Sequence, residues 1–189
     1  MFKIFGITGP SGCGKDTAAL YLANKFNANY VKLCTTRPKR NDEDNGYHFV
    51  SDNEFIDMVM DGTMLSAQVY RGWGYGLMNR ALSENQVNIL PMSDGMVEQM
   101  VEEGRKDIDL KIIYLTTSPK ERLAHILSRE EYPDCYEICR RFMSDKDDYE
   151  ENIELHGNCA KHVCNDYTDE FYNELSNLYI SYYDKDRMD

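Results

Sequence analysis

"MFKIFGITGPSGCGKDTAALYLANKF", residues 1–26, is the stretch that decides the fold. Its first eight residues form a short apolar run that stops at glycine-rich punctuation, which predicts a buried β-strand. From Lys15 onward, Ala18, Leu22 and Phe26 recur at helical spacing. Between strand and helix lies GPSGCGKDT, residues 9–17, which approaches the phosphate-loop pattern G-x-x-x-x-G-K-[ST]. Gly9, Gly14 and Lys15 fit, whereas Asp16 stands where a hydroxyl residue normally serves Mg²⁺. A strand before and a helix after favour a working phosphate cradle over a turn without a ligand. Glycines at 9, 12 and 14 let successive backbone N–H groups converge on an anion at the positive end of the helix. Lys15 is placed to reach the β- and γ-phosphates, and Thr17 offers a further hydroxyl.

The same alternation continues outward from this unit. Strands are predicted at NYVKL (29–33), YHFV (47–50), TMLSAQVY (63–70), VNILPM (87–92), DLKIIYLTT (109–117) and KHVCN (161–165). Helices are predicted over DNEFIDMVMDG (52–62), with Ser51 and Glu54 as a capping box, and over LMNRALSEN (77–85) and DGMVEQMVEEGRK (94–106). Three more follow at PKERLAHILSRE (119–130), opened by Pro119, at 135–155 and at 169–183. RGWGYG (71–76) reads as a turn, and CTTRPKRNDEDNG (34–46) as a polar loop. No repeat or low-complexity segment interrupts the pattern, which predicts an α/β fold with a mainly parallel sheet.

Composition narrows the partners. With 33 acids against 21 bases the net charge is −12, which argues against nucleic acid or an anionic membrane, since both reward basic surfaces. No apolar run approaches a membrane span and no secretory signal is visible, so a cytoplasmic location is expected. The length of 189 residues suits one domain. Six cysteines form no CxxC pair, consistent with a reducing compartment. HGNCAKHVC (156–164) gathers His156, Cys159, His162 and Cys164, zinc-ligand types at spacings that match no common zinc signature, and reads instead as a loop entering a strand.

On an otherwise acidic chain, Arg37, Lys39 and Arg40 make a basic spot followed by Tyr47. Arginine forks suit phosphate oxygens and a tyrosine hydroxyl completes a clamp. Because three acids, Asp42, Glu43 and Asp44, follow at once, a solvated, charge-balanced loop is an equal reading on spacing alone. The arginines at 122, 129, 140 and 141 likewise read either as cations over a migrating phosphoryl group or as ion pairs with neighbouring acids.

Taken together, GPSGCGK, TTRPKR, the E…NGY.F stretch and SDNEF resemble the guanylate kinase family in order and in spacing, with the segment between Gly46 and Phe49 two residues short. The resemblance extends more weakly to Tyr75–Gly76, the later arginines and VCND near the end. It implies a P-loop three-layer fold with a core at 1–34, 77–127 and 158–189, an acceptor-binding insert at 35–76 and a lid at 128–157. It also implies Mg²⁺ with ATP as co-substrate, bound by Gly9, Ser11, Gly12, Cys13, Gly14, Lys15, Asp16 and Thr17, with Asn165 near the adenine or else in a capping turn. Small-molecule nucleotides are the implied partners, for a monomer or a homodimer. By the same resemblance, Lys15, Arg129 and Arg141 are the catalytic cations, and Arg122 or Arg140 assists.

The acceptor side divides. Arg37, Arg40, Tyr47 and Tyr75 match the family's phosphate clamp. The residues with which the family reads guanine (a serine, a glutamate, a second serine and an aspartate) align with Leu33 or Cys34, Ser66, Leu77 and Ser93. Thr35, Gln68, Ser66, Ser93 and Asp94 form an alternative polar set. Pro91 stands where the family carries the first of its strand-end acids, and Asp16 gains a carboxylate beside Lys15, so Asp16 is the expected metal ligand; a favourable place in the helix's first turn is the alternative reading. The leading expectation is a kinase of GMP, dGMP or a related (deoxy)nucleoside monophosphate. A kinase of a phosphorylated sugar such as ribose 1,5-bisphosphate is the second, because ribose bisphosphate kinases and some deoxynucleotide kinases also carry Asp after the loop lysine. A non-catalytic binding module is the third, disfavoured because Lys15 and the clamp arginines are retained.

Overall fold

The computed structural model describes residues 1–39, 42, 44–70, 72–128, 133–151 and 160–183, the backbone alone at 146–151 and 160. A five-stranded parallel sheet has β1 (Phe2–Thr8) at its centre. On one side β1 pairs with β7 (Asn88–Pro91), which pairs with β2 (Asn29–Tyr30); on the other it pairs with β8 (Ile108–Thr116), which pairs with β9 (Ala160–Cys164). Helices cover both faces, so β1 is a continuous apolar run with Ile4, Phe5 and Ile7 fully buried. Phe5 and Ile7 pack with Leu22 of α1 (Lys15–Phe26) and with Phe171 and Leu175 of α6 (Asp169–Tyr183). Ile4 and Leu90 pack on the opposite face with Met96, Val97 and Met100 of α3 (Asp94–Glu103). The result is helix, sheet, helix: the three layers and parallel sheet that the sequence predicts.

The chain leaves β1 for α1 and β2 on one side, while β8 and β9 lie on the other. This topological switch opens a crevice at the carboxyl ends of β1 and β7, where α/β sheets bind ligands. Around the crevice stand α4 (Pro119–Leu127), with its proline in the first turn, and α5 (Cys135–Glu151).

A second sheet in the order β4-β3-β6-β5 forms the far wall. Here the structure corrects three expectations. Cys34–Thr35 is not loop but β3, pairing in parallel with β4 (His48–Phe49) and antiparallel with β6. RGWGYG is not all turn: only the reversal at Gly72, with φ of 81°, is. Residues Trp73–Met78 are β6, hydrogen-bonded along β5 (Met64–Tyr70). The glycines that read as turn residues are packing devices, because a Cβ at Gly74 would sit 2.9 Å from the Phe55 ring and one at Gly76 2.9 Å from Met64 Sδ. The helix predicted at 77–85 is the end of β6 followed by a single 3₁₀ turn, Asn79–Ala81. Its apolar spacing is overridden by the Met64–Met78 pairing and by Asn29, which donates to the Ala81 carbonyl. The capping box is present: Ser51 Oγ accepts from Glu54 N, and Ser51 N donates to Glu54, at the start of α2 (Asp52–Met60).

Candidate active site

The loop between β1 and α1 takes the left-handed conformations that glycine alone adopts without strain, most sharply at Gly14, φ 88°. A Cβ there would lie 2.5 Å from Asn165 Nδ2, so the close approach also demands glycine. Lys15 Nζ donates to the carbonyls of Gly9 (2.6 Å) and Pro10 (3.1 Å), folding across the loop. The loop is fastened from behind by the turn that follows β9. Asn165, 2% exposed, donates to Cys13 O at 2.8 Å and accepts from Tyr167 N at 2.9 Å. Tyr167 Oη donates to Gly12 O at 3.0 Å. Both ends of the Asn165 amide are therefore engaged in holding the loop and its own turn. Cys13 is fully buried, and that burial pushes its thiol pKa up against the opposing pull of Lys15 and Arg122.

In front of the loop lies a cavity of about 630 Å³. Lys15, Asp16, Tyr47, Tyr75, Arg140 and Arg141 all line it. Ser11, Ser93 and Asp94 also face it, while Thr17 is exposed on α1. The Tyr47 and Tyr75 rings meet edge to face with centroids 5.8 Å apart. Arg37 is buried behind them, donating to Asp44 Oδ2 at 2.8 Å and to Pro38 O at 2.7 Å, with its guanidinium 5.7 Å from the Tyr47 ring centre. Arg40, the other clamp arginine, and Arg129, the first lid arginine, lie outside the described residues, as do His156 and Cys159 of the cysteine–histidine stretch.

On the side where the family reads its base, Leu33 and Leu77 are buried. Ser66 turns away from the cavity to donate to Gln99 Oε1 at 2.7 Å. Ser93 caps α3, accepting from Met96 N, and also receives a hydrogen bond from Gln68 Nε2. The cavity wall here is thus Leu33, Gln68 and Ser93, with no carboxylate at the Ser66 or Ser93 positions.

Helix α5 presents a carboxylate–arginine cluster. Glu137 accepts from Arg140 (2.7 and 2.8 Å) and from Arg141 (2.6 Å), and these bonds hold its carboxyl at about 2. Arg122 does not belong with that cluster. From α4 it donates to Ser11 O at 2.9 Å and pairs with Asp145 at 3.3 Å, its guanidinium 4.7 Å from the Phe142 ring. Asp145 in turn accepts from Ser11 N at 2.8 Å. Gln68 belongs to the alternative polar set read from the sequence, whereas Tyr167 and Asp145 are parts of the site for which the sequence carried no local sign.

A parallel sheet with a glycine-rich, lysine-bearing loop at its switch point defines an α/β protein of the P-loop class. Residues 2–181 match the family model described as guanylate kinase. The chain belongs to the guanylate kinase family. It is 38% identical over 81 residues to the guanylate kinase of Frankia casuarinae, covering 41% of this chain and 44% of that one. The guanylate kinase of Thermotoga maritima is 35% identical over 89 residues, 46% of this chain and 42% of the relative. That of Helicobacter hepaticus is 31% identical over 133 residues, covering 66% and 65%. The chain thus spans less than half the length of the first two curated relatives. A guanylate kinase structure from Anaplasma phagocytophilum superposes with a TM-score of 0.68 at 18% identity, covering 94% of this chain and 84% of that one, a likeness of fold.

Proposed function

We propose that the chain is an ATP-dependent nucleoside monophosphate kinase, transferring the γ-phosphoryl group of Mg·ATP to GMP, dGMP or a related (deoxy)nucleoside monophosphate. The observation that carries this reading is one cavity lined by the phosphate loop and Lys15, by the tyrosine pair and by Arg140 and Arg141. Phosphoryl transfer demands little covalent chemistry from a protein, only in-line positioning and positive charge over the migrating group. The loop N–H groups and Lys15 hold the donor phosphates. Arg37, Arg40, Tyr47 and Tyr75 aim the acceptor phosphate. Arg129 and Arg141 balance the charge that develops between them. Closure of the cavity around both substrates excludes water, the competing acceptor.

Asp16 fits a magnesium ion shared with phosphate oxygens. It is an exposed carboxylate in the first turn of α1, in the same cavity as Lys15 and Asp94, and Mg²⁺ favours one or two carboxylates plus phosphate oxygens. Among the described residues no group of three His, Cys, Asp or Glu forms a cage that would hold a metal without substrate. When bound, the ion neutralises phosphate charge. A cytoplasmic monomer or homodimer acting on free nucleotides fits the acidic net charge of −12. The relatives' names lend nothing to the phosphorylated-sugar or binding-module readings.

The test is ADP release with GMP, dGMP, AMP, CMP, dTMP and ribose 1,5-bisphosphate as acceptors. At least one nucleoside monophosphate is expected to turn over, and Lys15→Ala to lower kcat at least roughly 100-fold, as removal of a charge-stabilising donor does. Turnover of the sugar phosphate alone, or of none of the panel, overturns the reading.

A further inference from the structure

The phosphate loop of this chain already holds an anion of its own. Asp145 is 3% exposed, lines the same cavity as Lys15, and accepts from the Ser11 backbone N–H at 2.8 Å. Arg122 completes the arrangement by donating to Ser11 O at 2.9 Å and pairing with the same Asp145 oxygen at 3.3 Å. An N–H of a glycine-rich loop is a group that phosphate oxygens seek, and a carboxylate satisfies it in the same way. Carboxylate–arginine pairing recurs nearby, where Glu137 on the cavity wall engages Arg140 and Arg141. Asp145 reaches the loop backbone itself.

We propose that Asp145 is an internal competitor for the phosphate loop, a carboxylate latch that the donor nucleotide displaces in order to bind. The proposal rests on the reading of the loop as the donor site. The Ser11 N–H has one hydrogen, and a phosphate and a carboxylate are both anions, so the two do not share it. The ligand-free chain divides between latched and open forms, and donor affinity is reduced by the fraction that is open. The latch also links the two halves of the site. Asp145 lies one helical turn beyond Arg141 and two beyond Glu137, so the three form one stripe along α5. Expelling Asp145 moves the helix face that carries Arg141, and donor arrival repositions the arginine needed for transfer.

The experiment measures dissociation constants for inorganic tripolyphosphate and Mg·ATP by calorimetry, with adenosine as a control without phosphates. Asp145→Asn keeps the shape and removes the charge. It is expected to tighten tripolyphosphate and Mg·ATP about tenfold, the gain for a latch closed about nine-tenths of the time. Adenosine affinity should not change, and the ligand-free melting temperature should fall. Should Asp145→Asn not fold, Asp145→Ser, too short to reach Ser11, is measured in its place. On the unmodified protein, the Asp145 carboxyl ¹³C resonance should shift when tripolyphosphate is added. Unchanged or weaker phosphate affinity in a folded variant overturns the latch and makes Asp145 a support of the loop, as does an unmoved carboxyl resonance. If neither wild type nor variant binds tripolyphosphate or ATP, the donor reading itself falls and the latch with it; wild-type binding that the variants do not tighten removes the latch alone.

Discussion

Asp16 alters what the phosphate loop offers a cation. A hydroxyl at that place contributes a neutral oxygen, whereas a carboxylate contributes charge and tolerates an intervening water. The proposed metal role pairs this change with Pro91, which ends β7 without an acid. Asp16→Ala is accordingly expected to raise the Mg²⁺ concentration for half-maximal activity about tenfold, the scale on which metal affinity falls when a supporting group is lost. Titrating Mg²⁺ at saturating ATP checks it, and an unchanged requirement would assign Asp16 to the helix dipole alone. Other single residues escape sequence reading for a plain reason. Asp145 meets Ser11 across 134 positions and Tyr167 meets Gly12 across 155, and no local pattern encodes either meeting. Lys15, Tyr47 and Tyr75 were legible because their motifs are short.

Among the elements, α2 shows how a cap substitutes for a core. It buries only Phe55, leaves Ile56, Val59 and Met60 exposed, and depends on the reciprocal Ser51–Glu54 bonds to fix its start. Ser51→Ala is expected to cost about 1 kcal/mol of stability, the usual loss for an N-cap. Hydrogen exchange read along residues 52–60 checks it, and protection equal to wild type would refute the cap's importance. This element was legible because S-x-x-E followed by helical spacing is a local signal. So were β1, α1 and β8, whose apolar runs end at clear punctuation. The second sheet was half hidden: β3 is two residues long within a polar stretch, and β6 contains two glycines, Gly74 and Gly76, that read as turn residues. What makes them strand is Phe55 and Met64, contacts that exist only after the sheet and α2 have met.

Over the whole molecule, a buried phenol (Tyr114) and a half-buried one (Tyr30) couple stability to high pH. Burial pushes Tyr30 and Tyr114 up to about 12, and the Asp16 charge adds to the effect at Tyr30. Their unfolded values lie near 10, so the unfolded chain releases these protons first. Their contribution is therefore full below about pH 10 and lost as pH rises from about 10 toward about 12. Urea midpoints measured between pH 9 and pH 11.5 should be level at first and then decline; a midpoint that holds steady to pH 11.5 would contradict it. The fastening of the phosphate loop by Asn165 and Tyr167 has a consequence in time as well. Ribosomes deliver residues 9–17 well before the side chains that hold Gly12 and Cys13, which follow 155 and 152 positions later. A nascent chain that has not reached Tyr167 carries the glycine-rich loop without its backing, so the loop acquires its fastening only after β9 and the turn that follows it have been made.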